Sequence, residues 1–224
     1  MDNSEGPKND FVVQENETVP PQIANFYVEH LGSKILTKIK GPHHAKIPLN
    51  KDRGTLELSV KLTDFCTKGR HILKPETKET EEQKITNFVR KAIDPIIDYD
   101  SFPDTVLSIE ITIIDLTENA IPATIFGLVL GLCRANIGIT DIVGASTVLL
   151  IGEELIYALG NSSEALAKGR ITICFAANMR KITHIELEGP MSQQKIGRAI
   201  EMAIKRCYET CSVLATRVKS DFTN

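Results

Sequence analysis

Ile113–Gly127, IIDLTENAIPATIFG, carries a β-strand into a hydrophobic helix. Upstream of it, Leu107, Ile109, Ile111 and Ile113 alternate with Ser108, Glu110 and Thr112, the period-two pattern of a strand with one buried face. Downstream, apolar residues run nearly all round from about Asn119 to Asn136, which predicts a central helix. Gly127 and Gly131, four apart, would let another element approach that helix closely. Strand-to-helix junctions of this kind often aim backbone amides at a phosphate. Here the junction reads Thr117, Glu118, Asn119, Ala120, Ile121: it lacks glycine and holds a carboxylate.

Working outward, residues 1–22 are polar and acidic, with Pro7, Pro20 and Pro21, and are expected to form a disordered tail ahead of one domain spanning residues 23–224. Phe26 and Val28 alternate with Tyr27 and Glu29, Gly32-Ser33 supplies a turn, and Ile35, Thr37 and Ile39 alternate onward: a hairpin, ended by Gly41-Pro42. Leu56 to Leu62 alternates strictly and reads as a half-buried strand. A charged loop covers residues 64–79. Thr80 and Gln83 form a capping box before a helix whose stripe is Ile85, Phe88, Val89, Ala92, Ile93, Ile96 and Ile97, closed near Pro95. Beyond the central helix, Ile142–Ile151 and Leu155–Leu159 flank a Gly152-Glu153 turn, and residues 171–175 and 182–187 give two more strands. The last helix runs from about Ser192 to Lys219. The order β-β-β-α-β-α then β-β-β-β-α predicts an α+β fold of mixed β-sheet layers with three main helices, not a doubly wound sheet.

Composition narrows function. The net charge of −3 makes any nucleic-acid contact a matter of a local basic patch. Aromatics at 5% with no Trp argue against base stacking as a main mode of binding. Five cysteines, odd in number and mostly in apolar stretches, read as buried thiols in a reducing compartment. No apolar run is long enough to span a bilayer, and no signal peptide is visible. His43-His44 reads as a surface turn, His184 as a rim or interface residue, and Cys207 and Cys211 as core. None completes a metal site at ligand spacing. Glu153-Glu154 reads as a solvated turn. No cofactor is expected.

These elements resemble the RNase PH family of phosphorolytic exoribonucleases, a ribosomal protein S5 domain 2-like fold. The resemblance rests on ANFYVEHLGSKILTKIKGP (24–42), TDFCTKGR (63–70), the 113–127 junction and NIGITDIVGASTVLLIG (136–152), in that order, and covers roughly residues 24–216. In TDFCTKGR, Phe65, Thr67 and Arg70 match the family's Pro-Phe-Ala-Thr-x-x-Arg segment, and Asp64 replaces its proline. The family's phosphate-cradling Asp-Gly-Gly-Thr-Arg falls on Thr117 to Ile121, which retain neither its glycines nor its arginine. Its acidic cluster falls near Glu164–Ile171, where Glu164 is the one carboxylate and Lys168, Gly169 and Arg170 follow. Losing one preorganised donor costs about 10²–10³ in rate.

The resemblance therefore implies no catalytic, cofactor or metal residues. It is similar to the noncatalytic ring subunits of the eukaryotic RNA exosome. The absent basic lead-in, replaced by Val19-Pro20-Pro21-Gln22, resembles the smaller subunits, the mRNA transport regulator type or its similar-sized sibling, and the Asp141-Ile-Val-Gly144 stretch leans toward the former. Implied partners are other RNase PH-type subunits, S1- and KH-type cap proteins and RNA threaded through the ring, in nucleus, nucleolus and cytoplasm. Arg70, Lys68 and Lys74, with Lys78 in the same loop, are the RNA-contact candidates; a solvated loop paired to Glu76, Glu79, Glu81 and Glu82 is the plainer reading. The alternatives are a phosphate-dependent 3′→5′ exoribonuclease with a degenerate site, and a stand-alone homo-oligomeric RNA binder.

Overall fold

A computed structural model describes residues 11–44, 52–66, 74–158, 160 and 166–223. The strands are β1 (Val12–Glu15), β2 (Gln22–His30), β3 (Ser33–His44), β4 (Thr55–Leu62), β5 (Thr105–Asp115), β6 (Val143–Ile151), β7 (Glu154–Tyr157), β8 (Ala167–Ala176) and β9 (Lys181–Glu188). The helices are α1 (Pro75–Ile93), α2 (Ala120–Arg134) and α3 (Gln193–Thr223), with a 3-10 turn at Tyr99–Ser101. A five-stranded sheet has the order β1-β2-β3-β5-β4, and a four-stranded sheet the order β7-β6-β8-β9. Among the described residues only β4 and β5 pair in parallel, with α1 lying between them in the chain as the crossover. This is the expected α+β architecture.

α2 packs against β2 and β3 of the first sheet and against β6 of the second, while α3 covers β6 and β8. α2 is accordingly buried from Pro122 to Leu132 without a break. The two glycines act as expected. A methyl on Gly127 would lie 2.9 Å from Val28 Cγ2, and one on Gly131 2.8 Å from Ile39 Cδ1. Helix and sheet meet closer than any side chain allows. A second cluster, Val148, Ile171, Ile173 and Phe175 against Ala199, Ala203 and Cys207, fixes α3 on the second sheet. Cys207 and Cys211 are core residues, as read.

Four local expectations are corrected. Residues 11–22 of the supposed tail are ordered: β1 pairs antiparallel with β2, and Phe11 stacks between His30 (3.9 Å) and Phe126 (4.0 Å). An open strand edge satisfies a polar segment's backbone whatever its composition. Residues 1–10 lie outside the described residues. The hairpin turns at Leu31-Gly32, both with positive φ, rather than at Gly32-Ser33. Ser33 instead pairs with His30 and its hydroxyl is buried against Thr117. α1 begins at Pro75, not Thr80, because proline suits the first helical turn; the Thr80 hydroxyl bonds back to Glu76 O at 2.8 Å. Lys78 therefore belongs to α1 rather than to a loop. His43 and His44 extend β3, opposite Val106 and Thr105, instead of forming a turn.

Candidate nucleic-acid interface

Because β4 and β5 are parallel, their C-terminal ends open on the same side, the usual place for ligands of such a pair. Here the chain leaves β5 through Leu116–Asn119 and enters α2. Thr117, Glu118 and Asn119 are all buried, at 6, 4 and 3% exposure. The Thr117 hydroxyl and the Asn119 side-chain amide are engaged within the protein. Asn119 N donates to Thr117 Oγ1 (3.2 Å), Asn119 Nδ2 donates to Ala158 O (3.2 Å), and the Thr117 and Ser33 hydroxyls meet at 2.5 Å. The start of α2 thus carries a buried carboxylate and side chains already engaged, not an open nest of amides.

Glu118 forms one wall of a cleft of about 280 Å³, with Leu149, Lys168, Arg170 and Glu188 around it. Lys168 is exposed, while Arg170 Nη2 meets Glu188 Oε2 at 2.6 Å across β8 and β9. The pair is partly exposed, so its contribution is at the small end for ion pairs, and its main effect is to hold the rim. Gly189 ends β9 at φ +79, where an added methyl would lie 2.3 Å from Lys168 O. Only glycine lets this turn fold back over the start of β8. The neighbouring Glu186 carboxyl is raised above its usual range, first by burial and then by Glu188.

The sequence candidates fare unevenly. Lys74 is exposed at the cap of α1. Lys78, on the same helix, reaches Asp64 at 2.5 Å, and the carboxylate raises its ammonium pKa. Arg70, Lys68 and Glu164 lie outside the described residues. Glu153 is the solvated turn residue expected, paired with Lys195, which lowers its pKa. His184 packs edge-on to Phe88 at 4.6 Å. The Arg170–Glu188 pairing was not read from sequence. A bulge between Cys174 and Phe175 shifts the register, and without it Arg170 would face Leu187. Among the described residues, no group of three His, Cys, Asp or Glu could hold a metal ion, and no helix is long and apolar enough to cross a membrane.

Comparison with known proteins bears on this geometry. The 3′ exoribonuclease family (RNase PH) domain 1 model matches residues 15–138, and the domain 2 model of the same family matches residues 141–206. The exosome complex component Rrp41 of Cenarchaeum symbiosum is 23% identical over 189 residues, covering 84% of this chain and 76% of that protein. Rrp41 of Thermococcus onnurineus is 25% identical over 181 residues, covering 80% and 72%. Rice (Oryza sativa) Rrp46 superposes with a TM-score of 0.80 at 14% identity, covering 94% of this chain and 95% of that one. The Archaeoglobus fulgidus exosome, solved with RNA bound to its active site, gives a TM-score of 0.75 at 12% identity, covering 90% and 86%.

Proposed function

Given that this chain belongs to the RNase PH family of 3′ exoribonucleases, we propose that it is a noncatalytic subunit of an exosome-type ring. In this role it organises the RNA path for 3′→5′ processing and degradation by the assembly. The exosome components among its relatives support membership of such a complex. Its partners are then other RNase PH-type subunits, S1- and KH-type cap proteins and RNA, in nucleus, nucleolus and cytoplasm. A ring would also cover exposed strand edges such as β9.

The observation that carries the noncatalytic reading is Glu118, a carboxylate 4% exposed at the entry to α2. Phosphorolysis needs a phosphate anion held beside an anionic RNA backbone, which demands cations and free amides. A buried carboxylate and an internally bonded Thr117–Asn119 turn oppose both. Lys168 and Arg170 give the rival reading, a degenerate phosphate-dependent exoribonuclease, its foothold, although Arg170 is already paired with Glu188.

Two experiments test the proposal. Mass spectrometry of proteins co-purifying with the tagged chain from its native cells should recover other RNase PH-like chains with S1- or KH-containing caps. Recovery of the chain alone would end the ring reading. Purified chain incubated with RNA and inorganic phosphate should release no nucleoside diphosphate, and phosphate-dependent release would establish the rival.

A further inference from the structure

β1 buries little of itself and is fastened mainly by what flanks it. Of its four residues only Val13 is half-buried, and the other three are exposed. Phe11, just ahead of it, stacks between the His30 ring at 3.9 Å and the Phe126 ring of α2 at 4.0 Å, within 9° and 11° of parallel. Glu15 Oε1 accepts from Arg134 Nε, in the last turn of α2, at 2.9 Å. Both partners of that pair are nearly half exposed, so it holds weakly. Behind β1, Asn16 N donates to Asn25 O at 2.8 Å, and Asn25 Nδ2 to Glu17 O at 3.3 Å. The aromatic slot is the strongest side-chain fastening of the three.

The strap covers the outer edge of β2. Val12 to Glu15 lie opposite Glu29 to Phe26, and Phe11 covers His30 beyond them. β2 reads QIANFYVEH and contains no Lys, Arg or Pro, the residues that usually protect a strand edge from pairing with another chain. Its Phe26 and Val28 are buried toward α2, where they lie beside Gly131 and Gly127. β1 supplies what β2 lacks: it is very short, polar at Gln14 and Glu15, and ends in a charge.

The edge beneath is self-complementary. Antiparallel pairing of two copies about a two-fold axis at Tyr27 sets Phe26 opposite Val28, Asn25 opposite Glu29 and Ala24 opposite His30. Opposed residues then share a face, apolar Phe26 and Val28 meet on the α2 side, and no like charges are opposed. We propose that β1 is an edge guard, occupying β2 in place of the β2 strand of a second copy, and that lifting it turns the chain into a self-associating form. Such a guard acts on the free chain, whether or not it later joins a ring.

The test is sedimentation velocity of the full chain carrying Phe11→Asp and Glu15→Lys, over a concentration series. These substitutions put a charge between the two rings and a like charge before Arg134, without shortening the chain. Apparent self-association scales with the fraction of molecules whose edge is bare, and should tighten about tenfold or more relative to the parent. Phe11→Ala alone, a milder change, should move it in the same direction. Adding Tyr27→Lys to the double variant opposes two ammonium groups at the axis and should return it to the parent's behaviour. A synthetic peptide of residues 11–17, FVVQENE, should do the same by reoccupying the edge. A double variant that sediments as the parent overturns the inference, because then either these side chains do not fasten β1 or the bare edge does not pair. Association that survives both Tyr27→Lys and the peptide arises from unfolding elsewhere and overturns it too.

Discussion

Asp141 offers the sharpest test of the structural reasoning. The carboxylate is 3% exposed and joins the entry of β6 to the β8–β9 turn. Its Oδ1 accepts from Ile142 N (2.7 Å), Asn178 N (3.2 Å) and Asn178 Nδ2 (2.9 Å), and its Oδ2 accepts from Met179 N (2.8 Å). Asp141→Ala strands all four donors. A buried donor left without a partner costs about 1–3 kcal/mol. Asn178 and Met179 are exposed, so water can replace much of their share, whereas Ile142 is half-buried. The expected loss is about 2–4 kcal/mol. Asp141→Asn keeps the shape but turns an amide NH2 toward donors, and about 1–2 kcal/mol is expected. Urea unfolding followed by circular dichroism measures both, with hydrogen exchange at Ile142 and Met179 as a local readout. If both variants stay within about 0.5 kcal/mol of the parent, water satisfies this turn and the carboxylate does not hold it.

Gly189→Ala forces a methyl into Lys168 O, so about 2 kcal/mol or more of stability should be lost; an unchanged melting temperature would show that the β9 exit relaxes freely. His184 has a lowered pKa, from burial first and Lys91 second. The folded state therefore prefers the neutral ring, and its contribution is full above the unfolded value of about 6.5 and declines as pH falls through it. Stability should drop more between pH 7.5 and 5.5 in the parent than in His184→Gln, and parallel urea midpoints would refute the assignment. Burial raises the thiol pKa of Cys174, Cys207 and Cys211, the last to about 12. Iodoacetamide mapped by mass spectrometry should spare all three until the chain unfolds, and labelling of any of them under native conditions would contradict the packing.

The elements legible in sequence are those whose burial imposes a period. β5 and α2 were readable because one buries alternate residues and the other buries every face. Features settled by backbone conformation or by a neighbour were not. Leu31 gives no sign that it would adopt a φ of +46, since ordinary L residues rarely do. The Thr80–Gln83 capping pattern is genuine chemistry, but Pro75 opens the helix a turn and a half earlier. β1 exists because β2 presents an open edge and Phe11 finds a slot between two rings, neither of which its own composition announces. At the site, the missing glycines of the 117–121 junction were plain in sequence. The burial of Glu118 depends on how two sheets are set around α2, and the Arg170–Glu188 match on a bulge in the β8–β9 register.

That placement of α2 has a consequence for dissecting the chain. The two matched stretches, residues 15–138 and 141–206, suggest a cut between them. Yet α2, which lies in the first, is a wall of the second as well, packed against β6 and α3. Expressed alone, the first piece would carry a helix with one greasy side open to water, and the second would lack the surface on which its sheet closes. Neither piece is a module that can be borrowed or swapped. A lesion on one side of α2 is expected to be felt on the other.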